Sequence, residues 1–405
     1  MTASPSKPPV WLLIAATATG PLALNIFVPS MPGLPAAFDT VPATVQLTLS
    51  LFLIGVAFGQ LVYGPLSDRF GRRPTLLFGF GLYTVASLAC ALAPSIGLLV
   101  VGRVAQALGG CAGMVIARAI VRDAWGREEA TGVLALVIAG MAVAPMVAPA
   151  IGGFLDVWLG WRSGFLLLVA FGGAVWLAAV RLLPETHRTP TPMPGPSALW
   201  AAYRSLLVRP AFLGYALTTA AVTAVFFCFL AGAPFVMVER LGRPPSEYGL
   251  FFILLSAGYM AGNLAVSRLS GRLDGDTLVR TGMACTLLGP LMLLAFLLAG
   301  VLSPAVLFLP SVLLCFGNGL TLPPAMTAAI GVEPRLAGTA SGLLGFLQMG
   351  AGAVASTLIG AIGPGEPLVM TLGMVACAGL AVAAFALARR GSDVAEQRAA
   401  EAQAD

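Results

Sequence analysis

Between residues 64 and 74 the chain reads GPLSDRFGRRP, which sets Asp68, Arg69, Arg72 and Arg73 between two nearly uncharged runs. Only 10% of residues are charged, so four charges within six residues call for a reason. Gly64 and Gly71 flank the charges and allow close helix approach. Arg122, Asp123 and Arg127 lie in the next polar stretch as partners for them. Arg103 is the one ionisable side chain placed well inside an apolar run. Burying it in lipid is costly, which by default marks function, although an arginine near a helix end can also snorkel. With Gln106, Gly110 and Gly113 it forms an i, i+3, i+7, i+10 stripe along one helix face. Asn25, Tyr215, Thr219, Asn263, Asn318 and Gln348 sit in other apolar runs, where each can line a cavity or hydrogen-bond between helices.

The sequence excludes several chemistries. Lys7 is the only lysine, so the body of the chain holds no P-loop lysine and no Schiff-base nucleophile. His187 is the lone histidine, in a polar stretch, and no metal site or cofactor is expected. The six cysteines all fall singly inside apolar runs, as small buried hydrophobes do. With no assembled nucleophile and base, the chain does not read as an enzyme.

The elements that position these residues follow from composition. The chain is 58% hydrophobic, with a mean hydropathy of +0.93, well outside the range of soluble domains. A helix crosses the hydrocarbon with about 20 apolar residues, because lipid offers nothing to free backbone groups. That window gives twelve spans, near 11–29, 44–66, 75–94, 97–117, 131–155, 163–183, 211–236, 248–268, 279–301, 304–330, 338–362 and 367–388. The first lacks the basic n-region of a signal peptide and leads straight into further spans. The expected fold is therefore all-α: a polytopic membrane protein of twelve transmembrane helices in two six-helix halves.

Orientation is read from the basic residues. Of 22 Lys and Arg, only Arg103, Arg162, Arg240 and Arg243 fall outside one set of alternate segments, which places both termini in the cytoplasm. The net charge of +5 reflects this topology, and no nucleic-acid partner is needed to explain it. The GPLSDRFGRRP stretch becomes the cytoplasmic turn between spans two and three. A generic basic loop accounts for its arginines but not for Asp68. The Pro-rich run PETHRTPTPMPGPS cannot be a span. It divides an N-terminal half, 1–183, from a C-terminal half, 211–390, through a cytoplasmic linker, 184–210, with a polar tail at 391–405. SRLSGR after span eight weakly echoes SDRFGRR after span two, as in the repeats of secondary transporters.

GPLSDRFGRRP resembles the loop signature of the major facilitator superfamily, and GRVAQALGG resembles its fourth-span arginine motif. APMVAPAIGG, residues 144–153, is similar to the fifth-span antiporter motif, with Ala148 where the usual pattern has Gly. NIFVPSMPGLP, WRSGF and LPET extend the resemblance to the bicyclomycin and chloramphenicol resistance (Bcr/CflA-type) branch. The resemblance is specific in the first half and rests mainly on span count in the second.

The resemblance implies a gating lock built from Gly64, Asp68, Arg69, Gly71, Arg72, Arg73, Arg122 and Asp123, closed in the outward-open state and broken in the inward-open one. It also implies that spans one, four, seven and ten line a cavity. Asn25 lies about 21 Å from the inner side and Arg103 about 9 Å from the outer side, at 1.5 Å per residue, so in a core about 30 Å thick their depths coincide. Asn25, Arg103, Gln106, Tyr215 and Asn318 are the expected substrate contacts. Pro149, Gly152 and Gly153 bend span five and let it pack closely, and their family association tilts the expectation toward export.

The implied activity is export of small amphiphilic drugs, neutral or weakly anionic, across a bacterial inner membrane by alternating access, by a monomer whose partners are the substrate, the lipid bilayer and a proton. A metabolite importer or uncoupled facilitator on the same fold is the alternative. Relatives in the branch often carry Asp where this chain has Asn25, which cannot titrate. If a proton is exchanged, Asp39 at the outer mouth and Asp123 at the inner one are the expected carriers.

Overall fold

A computed structural model describes residues 7–187 and 195–404. The described residues form fourteen α-helices and no strand. In the first half these are α1 (Val10–Phe27), α2 (Leu34–Phe38), α3 (Pro42–Phe70), α4 (Arg72–Ala91), α5 (Ile96–Ala124), α6 (Arg127–Leu159) and α7 (Arg162–Leu182). Then follow α8 (Pro196–Leu207), α9 (Pro210–Phe235), α10 (Pro245–Leu269), α11 (Gly275–Leu298), α12 (Pro304–Gly331), α13 (Ala337–Ile362) and α14 (Pro367–Ala404). Twelve helical segments are long and apolar enough to cross a membrane, as the hydropathy windows predict.

The helices run further than those windows. Span one continues from α1 through a 3-10 turn, Val28–Gly33, into α2, because Pro29 and Pro32 cannot donate to an α-helical ladder. α3 continues to Phe70, so the expected turn between spans two and three shrinks to Gly71, at φ 94°. Asp68 and Arg69 therefore stand on the last turn of a helix and not in a loop. Arg122 and Asp123 likewise end α5. The expected linker contains a helix, α8, while residues 188–194 of it lie outside the described residues. The expected tail continues α14 as far as Ala404.

The chain divides into two compact units, Met1–Pro194 with Pro234–Ile253, and Gly195–Ala233 with Leu254–Asp405. Inside each unit the helices meet where side chains are absent, the usual means of close approach between helices in a membrane. In the first, Gly79 and Gly109 bring α4 onto α5, and a Cβ on Gly55 or Gly59 would reach 2.9 Å from Ala107 or Cys111 on α5. In the second, Gly282 and Gly317 bring α11 onto α12, while Gly258 and Gly262 seat α10 on α12. Gly55, Gly59 and Gly79 thus recur at one constant spacing as Gly258, Gly262 and Gly282. Buried hydroxyls bond back to their own helices, as Thr48 does to Val45 O, Ser87 to Tyr83 O, Ser311 to Leu307 O and Thr321 to Gly317 O. That satisfies them where no water is available.

Candidate functional site

The charged stretch becomes a compact cluster because Gly71 ends one helix and Arg72 begins the next. Arg72 Nε donates to Asp123 Oδ2 at 2.8 Å, and its Nη1 donates to Asp68 Oδ1 at 2.5 Å and to Ser67 Oγ at 2.6 Å. The Arg72 side chain is 8% exposed, against 44% for Asp68 and 23% for Asp123. One guanidinium thus ties the ends of α3 and α5 to the start of α4. Its donors form a planar fork that a lysine ammonium could not reproduce.

Glu185 completes the cluster and was not singled out by the sequence reading. Its carboxylate accepts the backbone N–H groups of Arg72 at 3.0 Å and Arg73 at 3.1 Å, and that of His187 at 2.9 Å. It therefore caps α4 from beyond the far end of α7, placing negative charge where the helix dipole is positive. Arg73 returns the tie by donating to Val180 O at 2.8 Å. A Cβ on Gly71 would stand 2.6 Å from Glu185 Oε2, so this position excludes a side chain by space as well as by φ. The one sequence signal was LPET, quoted only as a family feature.

Other members of the expected lock are placed differently. Gly64 was expected to allow close helix approach, but a Cβ there would meet nothing within 4 Å, so no neighbouring helix packs on it. Its carbonyl instead accepts from Ser67 Oγ at 3.0 Å. Arg69 is exposed, with its guanidinium 5.2 Å from the Phe70 ring centroid. Arg122 is exposed and makes no ion pair among the described residues. Asp123 alone joins from the end of α5, because residues one apart on a helix point about 100° apart.

Arg103 is fully buried in the first unit. Nη1 donates to Ala23 O on α1 at 2.9 Å and to Gln106 Oε1 at 2.6 Å, and Gln106 Nε2 donates onward to Ser87 Oγ on α4 at 2.8 Å. Its Cζ stands 4.1 Å from the Phe52 ring centroid, 4.7 Å from that of Phe27 and 6.0 Å from that of Phe165. Desolvated contacts of this kind contribute roughly 2 kcal/mol. Nε and Nη2 have no hydrogen-bond partner among the described residues. The stripe predicted on α5 is a packing face: Gly110 meets Gly20, and Gly113 meets the Ala16 carbonyl of α1.

Asn25 is 3% exposed and its Nδ2 donates to Pro21 O at 2.8 Å. Arg103 of α5 thus reaches the α1 backbone two residues before Asn25, and no hydrogen bond joins the two side chains among the described residues. Asn25 Oδ1 is buried without a partner among the described residues.

Gly152 and Gly153 allow α6 to approach two neighbours. A Cβ on Gly152 would overlap the Ile26 carbonyl of α1, and one on Gly153 would overlap Pro245 O at the start of α10. Gly249 in turn packs on the Pro149 carbonyl. Pro145 and Pro149 both lie within α6, where each removes one ladder hydrogen bond. Asp156, expected just beyond span five, is instead within α6 and faces the Ser30 hydroxyl.

In the second unit Tyr215 Oη donates to Asp276 Oδ1 at 2.9 Å, and Arg389 forms an ion pair with the same carboxylate. Asn318 is 4% exposed; its Nδ2 donates to Val222 O on α9 at 3.3 Å and its Oδ1 accepts from Thr286 Oγ1 on α11 at 3.1 Å. Both residues thus tie helices within their unit. Asn263 and Thr219 bond back to Tyr259 O and Ala216 O on their own helices. Asp39 is exposed and adopts φ 47° at the end of α2. Among the described residues no group of His, Cys, Asp and Glu could hold a metal ion.

Known proteins resemble this chain along most of its length. A profile of the Major Facilitator Superfamily matches residues 13–356. Multidrug resistance protein D of Escherichia coli is 31% identical over 85% of this chain and 86% of its own. A chloramphenicol resistance protein of Pseudomonas aeruginosa is 34% identical over 67% of this chain and 64% of its own. Among solved structures, a bacterial homolog of the human lysosomal transporter Spinster, inward-facing and unoccupied, superposes with a TM-score of 0.69 at 18% identity over 95% of this chain and 96% of that one, which speaks to the fold alone.

Proposed function

This chain belongs to the major facilitator superfamily, whose members are membrane carriers and not enzymes, and from that premise we propose that it exports small amphiphilic drugs across the inner membrane by alternating access, driven by proton antiport. Drug-resistance relatives and the close-packed glycines of α6 support the direction of transport. Both termini face the cytoplasm, following the distribution of basic residues. Two six-helix halves, 1–183 and 211–390, are joined through 184–210, and the working unit is a monomer.

The observation that carries the reading is the position of Arg72 between Asp68 and Asp123. Exposed ion pairs contribute about 0–1 kcal/mol each, so a partly exposed cluster can be made and broken within a transport cycle. Protonating Asp123 would remove its charge and weaken its hold on Arg72. A proton arriving from the inner mouth is thereby linked to the lock, with Asp39 the acceptor at the outer mouth. Arg103 and Gln106 hold the wall that Asn25 belongs to, and Tyr215 and Asn318 do the same in the second unit. These five reach substrate as the helices rearrange.

Asn25 favours one competing reading. A side chain that cannot titrate suits an uncoupled facilitator or a metabolite importer on the same fold. Expression in a pump-deficient bacterial strain separates the two. Raised tolerance to phenicol-type drugs supports export, whereas unchanged tolerance with growth on a new nutrient overturns it.

A further inference from the structure

Helix α8 docks by one face only. Leu206 is fully buried and packs with Ala340, Leu343 and Leu344 of α13, while Tyr203 and Leu207 are partly buried beside it. The opposite side carries Trp200 and Val208, each 66% exposed, with Arg204 exposed between them at i, i+4 and i+8. An indole, a guanidinium and a valine thus share one open side, opposite the face that makes the core contact.

Position supplies the occupant. α8 ends at Leu207 and the next candidate span begins at Pro210, so the C-terminal end of the helix lies within a few ångströms of the start of that span, whichever way the chain is oriented. Tryptophan is enriched at that depth, and an arginine there can extend to phosphate oxygens while its stem remains in the apolar layer. Charge agrees with this. Arg204 makes no ion pair among the described residues, and no Asp or Glu occurs between Glu185 and Glu239. Arg209, at the junction with α9, is held by Glu333 at 2.6 Å and by Val332 O at 3.2 Å, which leaves Arg204 as the cation on this face.

We propose that the Trp200–Arg204 face of α8, with Val208 just beyond its end, is an interfacial lipid contact, with Trp200 and Val208 at the level where the acyl chains join the headgroups and Arg204 on the phosphate of an anionic phospholipid. The contact sits beside the start of span seven, so headgroup charge acts on the junction between the linker and the second unit.

The test uses the full chain in nanodiscs of phosphatidylcholine, with brominated phosphatidylcholine or brominated phosphatidylglycerol added at equal mole fraction. The difference between wild type and Trp200→Phe isolates this indole from the other five tryptophans. Trp200 emission is expected to be quenched by both lipids and more strongly by the anionic one, by up to roughly fivefold, the effect of one basic residue near a charged surface. Arg204→Ala should erase that preference and leave quenching by brominated phosphatidylcholine in place. Trp200 emission that neither lipid quenches, whether red-shifted in water or blue-shifted against a protein partner, overturns the contact. Equal quenching by both lipids in wild type overturns the anionic selectivity.

Discussion

Arg72 and Asp123, 51 residues apart in sequence, meet at 2.8 Å, and the same guanidinium holds Asp68 on the preceding helix. The two carboxylates are not equivalent. Asp68 is 44% exposed and Asp123 23% exposed, so solvent screens the first pair more than the second.

Asp68→Asn should therefore leave insertion and folding intact, at a stability cost of about 1 kcal/mol or less, while drug export falls. Asp123→Asn should cost more stability, because it leaves a largely buried guanidinium with one anionic partner fewer. Membrane abundance, thermal unfolding in detergent and drug accumulation read the three effects. Normal export by Asp68→Asn would remove the lock from the mechanism.

Glu185→Gln retains the shape of the α4 cap and loses its charge, which should destabilise by about 0.5–2 kcal/mol, as for other lost caps. Gly71→Ala should cost about 1–3 kcal/mol, since it places a Cβ at positive φ and against the Glu185 carboxylate. If the cap is one unit, the double variant will lose less than the sum of the two. Additive losses in a double-mutant cycle on thermal stability would separate the positions.

The fold was legible in hydropathy because lipid imposes one requirement on every span. Helix ends were not, since windows detect apolar runs while Asp68, Arg69 and Asp123 end their helices with charge. The partnership of Glu185 with Arg72 spans 113 residues and leaves no local pattern. LPET, within the family resemblance, was its one sequence signal. The repeat looked weak when judged on SRLSGR, because surface charges are free to change, whereas Gly55, Gly59 and Gly79 recur at constant spacing where backbones touch. Arg103 was found by its cost in lipid; its aromatic surroundings on α1, α3 and α7 required the packing of helices distant in sequence.

Arg103→Lys keeps the charge and loses the planar contacts to Phe27 and Phe52 and the paired bond to Ala23 O and Gln106. It should lower stability by roughly 2 kcal/mol and reduce export of neutral drugs. Wild type should favour neutral or weakly anionic compounds in competition assays, because an organic cation would meet Arg103 without a nearby counter-charge. Strong protection against quaternary ammonium compounds, with none against neutral drugs, would reverse this preference.

The central claim is tested by flux in proteoliposomes under an imposed pH gradient without membrane potential, in wild type, Asp39→Asn, Asp123→Asn and Asn25→Asp. Wild type should move drug against the direction of the proton gradient and stop when the gradient is collapsed. The drive should be weakened in Asp39→Asn and Asp123→Asn, and should be retained or raised in Asn25→Asp. Gradient-driven flux that survives both Asn substitutions would show that the protons use other groups, whereas wild-type flux indifferent to the gradient would contradict proton-driven export itself.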